Sequence, residues 1–181
     1  MQVHNRISYG RIELRAIEPE DLDLIFEWEN DTSLWHLTNT KAPFSRYLLT
    51  RYLAEATRDV YEQKQVRLII QTLDKRAVGA SDLYDIDFFH QRAGVGILIH
   101  QSEDRRLGFA TDALTALDQY AMETLGLHQL YALISEDNTP SIQLFEKNGY
   151  SLTGIKKQWL NTLSGWKDVW FYQKILVNQR K

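Results

Sequence analysis

Regular patterning begins at residues 11–17, where Ile12, Leu14 and Ala16 alternate with Arg11, Glu13 and Arg15. A period of two places the sets on opposite faces, so this stretch reads as a strand. The period then changes. Pro19 at a first-turn position, with Glu18, Glu20 and Asp21 favouring the positive end of a helix, opens a pattern of Leu22, Ile25, Phe26 and Glu29 that closes near Asn30-Asp31. Residues 33–44 carry no period. From Ser45, the spacing of Leu48, Leu49, Tyr52, Leu53 and Ala56 predicts a second helix to about Arg58. Residues 66–72 and 77–84 read as strands joined by the turn Leu73-Asp74-Lys75-Arg76, and 93–100 as another, together an antiparallel meander.

The second half changes character. Leu114, Leu117, Tyr120, Ala121 and Leu125 share one face of a helix predicted over 111–125, with Gly126 placed to stop it. Residues 128–135 form a strand. Thr139-Pro140 supplies an N-cap and a first helical proline for a short helix ending at Asn148-Gly149. Two last strands, at about 150–159 and 167–177, flank a turn at 161–165. No repeat, low-complexity tract or linker interrupts the order β-α-α-β-β-β-α-β-α-β-β, and 181 residues with 44% hydrophobic positions suit a single domain spanning 1–181.

The absence of cysteine excludes disulfides, thiolate metal sites and a cysteine nucleophile, so any acyl transfer is direct or uses another nucleophile. A net charge of −3 offers no global field for nucleic acid and suits a cationic substrate better. No apolar run reaches the roughly 20 residues that span a bilayer, and the first ten residues lack the apolar core of a signal peptide. The expectation is a cytoplasmic protein without a membrane or nucleic-acid partner. The apolar last strand suits a homodimer contact and packing within the monomer equally well.

Chemistry concentrates in Arg105-Arg106-Leu107-Gly108-Phe109-Ala110-Thr111, between an apolar strand and an amphipathic helix. Glycine permits close backbone approach, free N–H groups at the helix start face an anion, and arginine adds charge-assisted hydrogen bonds to phosphate oxygens. The run resembles the Arg/Gln-x-x-Gly-x-Gly/Ala motif of the GNAT acetyltransferases, carried here by Arg105, Gly108 and Ala110. Glu136-Asp137-Asn138-Thr139-Pro140-Ser141 and Leu144-Phe145-Glu146-Lys147-Asn148-Gly149-Tyr150 resemble that family's E-N-x-x-S and L-Y/F-E-K-x-G-F/Y segments in order and spacing. The resemblance covers about Arg11 to Leu176. It is nearest to the spermidine N-acetyltransferases and the N-terminal acetyltransferases of ribosomal proteins.

The resemblance implies an α+β fold, an α/β/α sandwich whose mostly antiparallel twisted sheet has a splayed central strand pair flanked by helices. Strands near 94–100 and 128–135 would part like a V around the pantetheine arm of acetyl-CoA, which would pair with backbone at Ile97, Leu98 and Ile99. The N–H groups of Arg106, Leu107, Gly108, Phe109, Ala110 and Thr111 would hold the pyrophosphate, with Arg105, Asn138 and Lys147 completing the cofactor-binding set. An N–H near Ile99 or His100 would polarise the thioester carbonyl. Asn138 would position the pantetheine or the amine, and Ser141 or water would protonate the departing thiolate. No metal is implied.

Two positions depart from the family's pattern. Phe145 stands where many members carry a tyrosine general acid, and Gly94 where many carry a glutamate. The base is therefore sought among Asp82, Asp85 and Asp87, of which Asp85 is the candidate. Asp82 and Asp85 are odd-spaced, so at most one of them faces the cleft unless a bulge intervenes. His100 and His128 read as packing or surface residues. Trp35, Trp159, Trp166 and Trp170 suit either a core or an amine pocket. Glu27, Glu29 and Asp31 read as a polar helix face that would also suit a cation.

The leading expectation is acetyl transfer to a primary amine, a polyamine or other small amine, favoured by the acidic Asp82-Leu83-Tyr84-Asp85-Ile86-Asp87 stretch. Against it, Thr38-Asn39-Thr40-Lys41-Ala42 replaces the acidic loop that spermidine enzymes carry there. The alternatives are a protein N-terminal or lysine acetyltransferase, and an acetyl-CoA-binding module without catalysis. A dinucleotide-binding domain lacks the repeated βαβ units it needs.

Overall fold

In the computed structural model, which describes residues 7–38, 40–55, 59–162 and 164–177, eight strands join one mixed sheet. They are β1 (Ile7–Tyr9), β2 (Ile12–Ala16), β3 (Val66–Thr72), β4 (Ala77–Asp87), β5 (Arg92–Ile99), β6 (Gln129–Ser135), β7 (Ser151–Thr162) and β8 (Gly165–Ile175). The helices are α1 (Leu22–Glu29), α2 (Trp35–Thr38), α3 (Arg46–Glu55), α4 (Val60–Gln63), α5 (Phe109–Glu123) and α6 (Thr139–Lys147). Spatial order in the sheet is β1-β2-β3-β4-β5-β6-β8-β7. The β3-β4-β5 meander and the β6-β8-β7 group are antiparallel, and β5 with β6 is the parallel pair at the centre.

Every strand and long helix read from periodicity is present. The additions are short: β1, α2 within the aperiodic stretch, and α4. Elements of three or four residues hold too few positions for a period to show. The second helix is described to Glu55, and residues 56–58, where its expected end falls, lie outside the described residues. The N-cap of α6 is Asn138 and not Thr139, because the Asn138 side chain accepts the Ser141 N–H at 3.3 Å.

The described residues divide into two compact units. In the unit formed by the residues up to Arg15 and from Lys64 onward, α5 packs on β1, β4 and β5 through Ala113, Leu114, Ala116, Leu117 and Ala121, and α6 lies against β6. Leu130, Ala132 and Ile134 bury one face of β6, while Leu133 on the other face is exposed. In the unit of residues 16–63, α1 packs on α3. There Asn30 donates to the carbonyls of Phe26 and Phe44 and accepts the Phe44 N–H, tying off the chain between the helices. Among the described residues no helix is long and apolar enough to cross a membrane.

One polar group is built into the first unit's core. The Asp118 carboxylate on α5 accepts from Lys174 Nζ on β8 at 2.6 Å and from the Tyr150 hydroxyl at 2.8 Å. Burial raises its carboxyl above the usual carboxylate range, against the lowering pull of Lys174. Removing the ammonium leaves a buried charge uncompensated, so Lys174→Met is expected to destabilise the protein by about 3 kcal/mol at neutral pH. A folded-state pKa above the unfolded value favours folding as pH falls. The deficit of the variant should therefore shrink as Asp118 takes up its proton, which denaturant melts between pH 7 and pH 4 would measure.

Candidate active site

The central parallel ladder is short. β5 and β6 pair only at Arg92↔Gln129, Ala93↔Leu130 and Gly94↔Tyr131, although β5 continues to Ile99 and β6 to Ser135. Beyond Gly94 the facing edges have no ladder between them. The other edge of β5 stays paired with β4 from Arg92 to Ile99, and beyond it the His100 N–H donates to the Val78 carbonyl at 3.0 Å. Backbone groups alternate sides along a strand, so this bond turns Leu98 and Gly96 toward β4 and leaves Val95, Ile97 and Ile99 facing the gap. Of the expected backbone partners, Ile97 and Ile99 meet the geometric condition. Leu98 faces Ala80 in the register, and the His100 N–H is already spent on Val78. Ile99 is thus the N–H available to polarise a carbonyl in the gap.

At the open end of the gap lies the loop into α5. Arg106 and Gly108 take positive φ, 63° and 88°, on either side of Leu107. Such alternation folds consecutive N–H groups into an anion-binding concavity. Gly108 is the N-cap of α5 and supplies no side-chain cap, and the first intrahelical bond is the Asp112 N–H to the Gly108 carbonyl. The N–H groups of Phe109, Ala110 and Thr111 therefore have no partner within the helix, at its positive end. Unpaired N–H groups at a helix start are the kind of donors that an anion can meet.

Arg105 is anchored on the strand that it follows. Its Nε and Nη2 donate to the carbonyls of Ile99 and His100 at 3.1 and 2.8 Å, clasping the loop to the end of β5. The loop's base is fixed by a bidentate pair, Arg76 to Asp104 at 2.6 and 2.8 Å, which holds the Asp104 carboxyl below the usual carboxylate range. The guanidinium standing over Gly108 belongs to Arg11 of the β1-β2 turn, which is bonded to Asp112 and to the Leu107 carbonyl. Its partner lies 101 residues away, and no local pattern announces such a contact. Lys147 lies exposed in the last turn of α6, whose end is set beside α5 by the Thr115 hydroxyl donating to Asn148.

Gly94 and Phe145 each have a structural explanation. A Cβ at Gly94 would stand 2.3 Å from the Tyr84 ring, so the tyrosine fills the space that a glutamate would need. Phe145 is buried and packs edge-on to Tyr150 at 4.9 Å. Ser141 is half-buried one turn away, its N–H on Asn138. On β4 the register shifts between Tyr84 and Asp87, and Asp85 sits in this bulge with a φ of 50°. Asp82 and Asp85 consequently have different fates. Asp82 lies opposite Gly96 and is held by Arg67 at 2.7 and 3.3 Å. Asp85 is exposed, lies near enough to the Tyr131 phenol for its charge to raise that group's pKa, and lines a cavity of about 420 Å³ with Lys64, Ile86, Asp87 and Phe88. Asp87 is engaged by Arg92 and by the His90 N–H.

Tyr131 joins this group to the strand pair. Its ring stacks on Phe171 at 5.2 Å and meets Tyr84 edge-on at 6.0 Å. Burial, and secondarily Asp85, pushes its phenol up, and burial does the same to Tyr84, so both stay protonated through the neutral range. Trp159 and Trp166 are exposed on the β7-β8 hairpin, remote in register from Tyr131. Tyr84 and Gly94 should be energetically coupled. Gly94→Ala is expected to cost about 1 to 3 kcal/mol alone and substantially less when Tyr84→Ala opens the space. Additive penalties in a double-mutant cycle of melts would contradict the contact.

Comparison with known proteins bears on this geometry. A family model of the acetyltransferase (GNAT) domain matches residues 11–151. Spermidine N(1)-acetyltransferase of Escherichia coli strain K12 is 26% identical over 147 residues, 81% of this chain and 76% of that protein. The uncharacterized N-acetyltransferase YoaA of Bacillus subtilis strain 168 is 28% identical over 159 residues, 85% of this chain and 87% of that protein. Among solved structures, spermidine N-acetyltransferase from Vibrio cholerae in complex with CoA and spermine has a TM-score of 0.83 at 21% identity, over 92% of this chain and 96% of that one, a likeness of fold. The matched segment runs from Arg11 beside the loop into α5, through the splayed strand pair, to the start of β7, and on that ground the chain belongs to the GNAT acetyltransferases, enzymes with acetyl-CoA as cosubstrate.

Proposed function

We propose that this chain is a cytoplasmic, single-domain enzyme that acetylates a primary amine of a polyamine or similar small amine by direct transfer from acetyl-CoA. The observation that carries the reading is the β4 bulge. It frees the Asp85 carboxylate from the ladder and sets it against Tyr131, the residue that closes the β5-β6 pairing. The likeness to spermidine N(1)-acetyltransferase over 81% of the chain supports the choice of amine. Asp82 is less suited to the role of base, because Arg67 occupies both of its oxygens.

In this reading the Ile99 N–H polarises the thioester carbonyl, and Ile97 pairs with the pantetheine arm as an added strand would. Asp85 takes the ammonium proton, directly or through the Tyr131 hydroxyl, so that a neutral amine attacks. Ser141 or water returns a proton to the thiolate, since Phe145 has none to give. Asn138 orients the reacting groups through its Nδ2, its Oδ1 being the cap of α6.

Thiol release from acetyl-CoA against spermidine, spermine, short diamines, amino acids and N-terminal peptides tests the proposal, and a cysteine-free enzyme adds no background. Turnover is expected to be fastest with polyamines, and Asp85→Asn should lower kcat by about 10²-fold or more without weakening acetyl-CoA binding. Faster turnover with peptides would transfer the reading to protein acetylation. Bound acetyl-CoA with no turnover for any amine would favour a module without catalysis, and equal kcat for Asp85→Asn would move the base elsewhere.

A further inference from the structure

We propose that Arg11 is a ligand of the acetyl-CoA pyrophosphate, brought to the loop from outside its motif and aimed by Asp112, an inference that rests on residues 106–111 being the phosphate cradle. Three bonds fix the residue. Its backbone N–H and its Nε donate to Asp112 Oδ2 at 3.1 and 2.9 Å, and its Nη1 donates to the Leu107 carbonyl. The guanidinium lies over the Phe109 ring, 6.0 Å from its centroid, and among the described residues its remaining nitrogen, Nη2, has no hydrogen-bond partner. It lies 2.1 Å from where a Cβ on Gly108 would stand, over the loop and beside the free N–H groups that start α5.

The local sequence makes room for this pair at both ends. A Cβ at Gly10 would stand 2.6 Å from the Asp112 carboxylate, as one at Gly108 would collide with Arg11. Exposure is divided in the way a ligand requires: the Arg11 side chain is 57% exposed and its Asp112 anchor 10%. A guanidinium held in place loses little freedom on meeting an anion, and its fork geometry matches phosphate oxygens. Arg105 is anchored differently, its Nε and Nη2 donating to the strand carbonyls of Ile99 and His100.

Asp112 gives the proposal a distinctive signature. Its negative charge favours the helix start but opposes a phosphate bound there, and Arg11 offsets that charge. Losing Arg11 therefore removes a ligand and exposes the pyrophosphate to an uncompensated carboxylate.

The test measures binding of CoA, dephospho-CoA and pantetheine, by calorimetry and by competition for the weakest, to wild type, Arg11→Gln, Arg11→Lys and the double variant Arg11→Gln/Asp112→Asn. Arg11→Gln should weaken CoA and dephospho-CoA alike, by about 10- to 100-fold, and leave pantetheine unchanged. Arg11→Lys should fall between, and Asp112→Asn should recover part of the loss. The proposal is overturned by unchanged CoA affinity, by a loss that extends to pantetheine, or by one absent for dephospho-CoA, which would assign Arg11 to the 3′-phosphate. If Arg11→Gln melts far below wild type, Arg11→Lys supplies the same three-ligand comparison. A wild-type protein that binds pantetheine as tightly as CoA would instead refute the cradle itself, and the role of Arg11 with it.

Discussion

A parallel ladder that ends after Gly94↔Tyr131 leaves the backbone groups of Val95, Ile97 and Ile99 on an inner edge of the sheet with no strand to meet them. Buried peptide groups without partners cost free energy, so a strand pair that parts at the centre of a sheet needs a reason to persist. Here the reason is built into both neighbours. The β4-β5 ladder holds one edge of β5 along its length, β6 is held by β8 from Gln129 to Ser135, and α5 covers the sheet beside them. Each strand is secured from its outer side, and the gap is the result. An acyl-pantetheine arm offers an extended chain with amide groups of its own, which is the chemistry such an edge can pair with.

Charge is used to lock the loop at the end of this gap. Arg76 with Asp104 fixes its base, Arg105 fastens it to the strand carbonyls, and Arg11 with Asp112 bridges the β1-β2 turn to the first turn of α5. Between these anchors lie the left-handed Arg106 and Gly108. The arrangement of the loop is thus a property of three separated segments, at residues 11, 76 and 99–112, and not of the motif alone.

How much of this was legible from residues follows the range of the contacts. Alternation and helical spacing are local, so the meander, α5 and the last hairpin were readable, and the motif around Gly108 marked the loop into α5 as a candidate anion site. The position of Asp85 was half legible. Odd spacing from Asp82 demanded a bulge if both acids were to reach the same side, but where a strand bulges depends on its partner's register. Tyr84 over Gly94 and Arg11 over Gly108 were not legible, since each is a contact between segments whose separation carries no period. Arg105 was readable as a cation near phosphate but not as a clasp, because the carbonyls it binds come free only where β5 ends. Asn138 illustrates a smaller shift: two capping residues in sequence compete, and the helix starts after the one whose side chain reaches Ser141.

The central claim is that the gap-facing edge of β5 and the start of α5 together hold acetyl-CoA. Amide hydrogen exchange followed residue by residue by NMR, with and without saturating acetyl-CoA, addresses both halves at once. The account predicts new protection at Ile97, Ile99 and the amides of Leu107 to Thr111, with Leu98 and His100 already protected in the free protein and little changed. Protection at Leu98 and His100 arising only on binding, or none along β5 and α5, would contradict it.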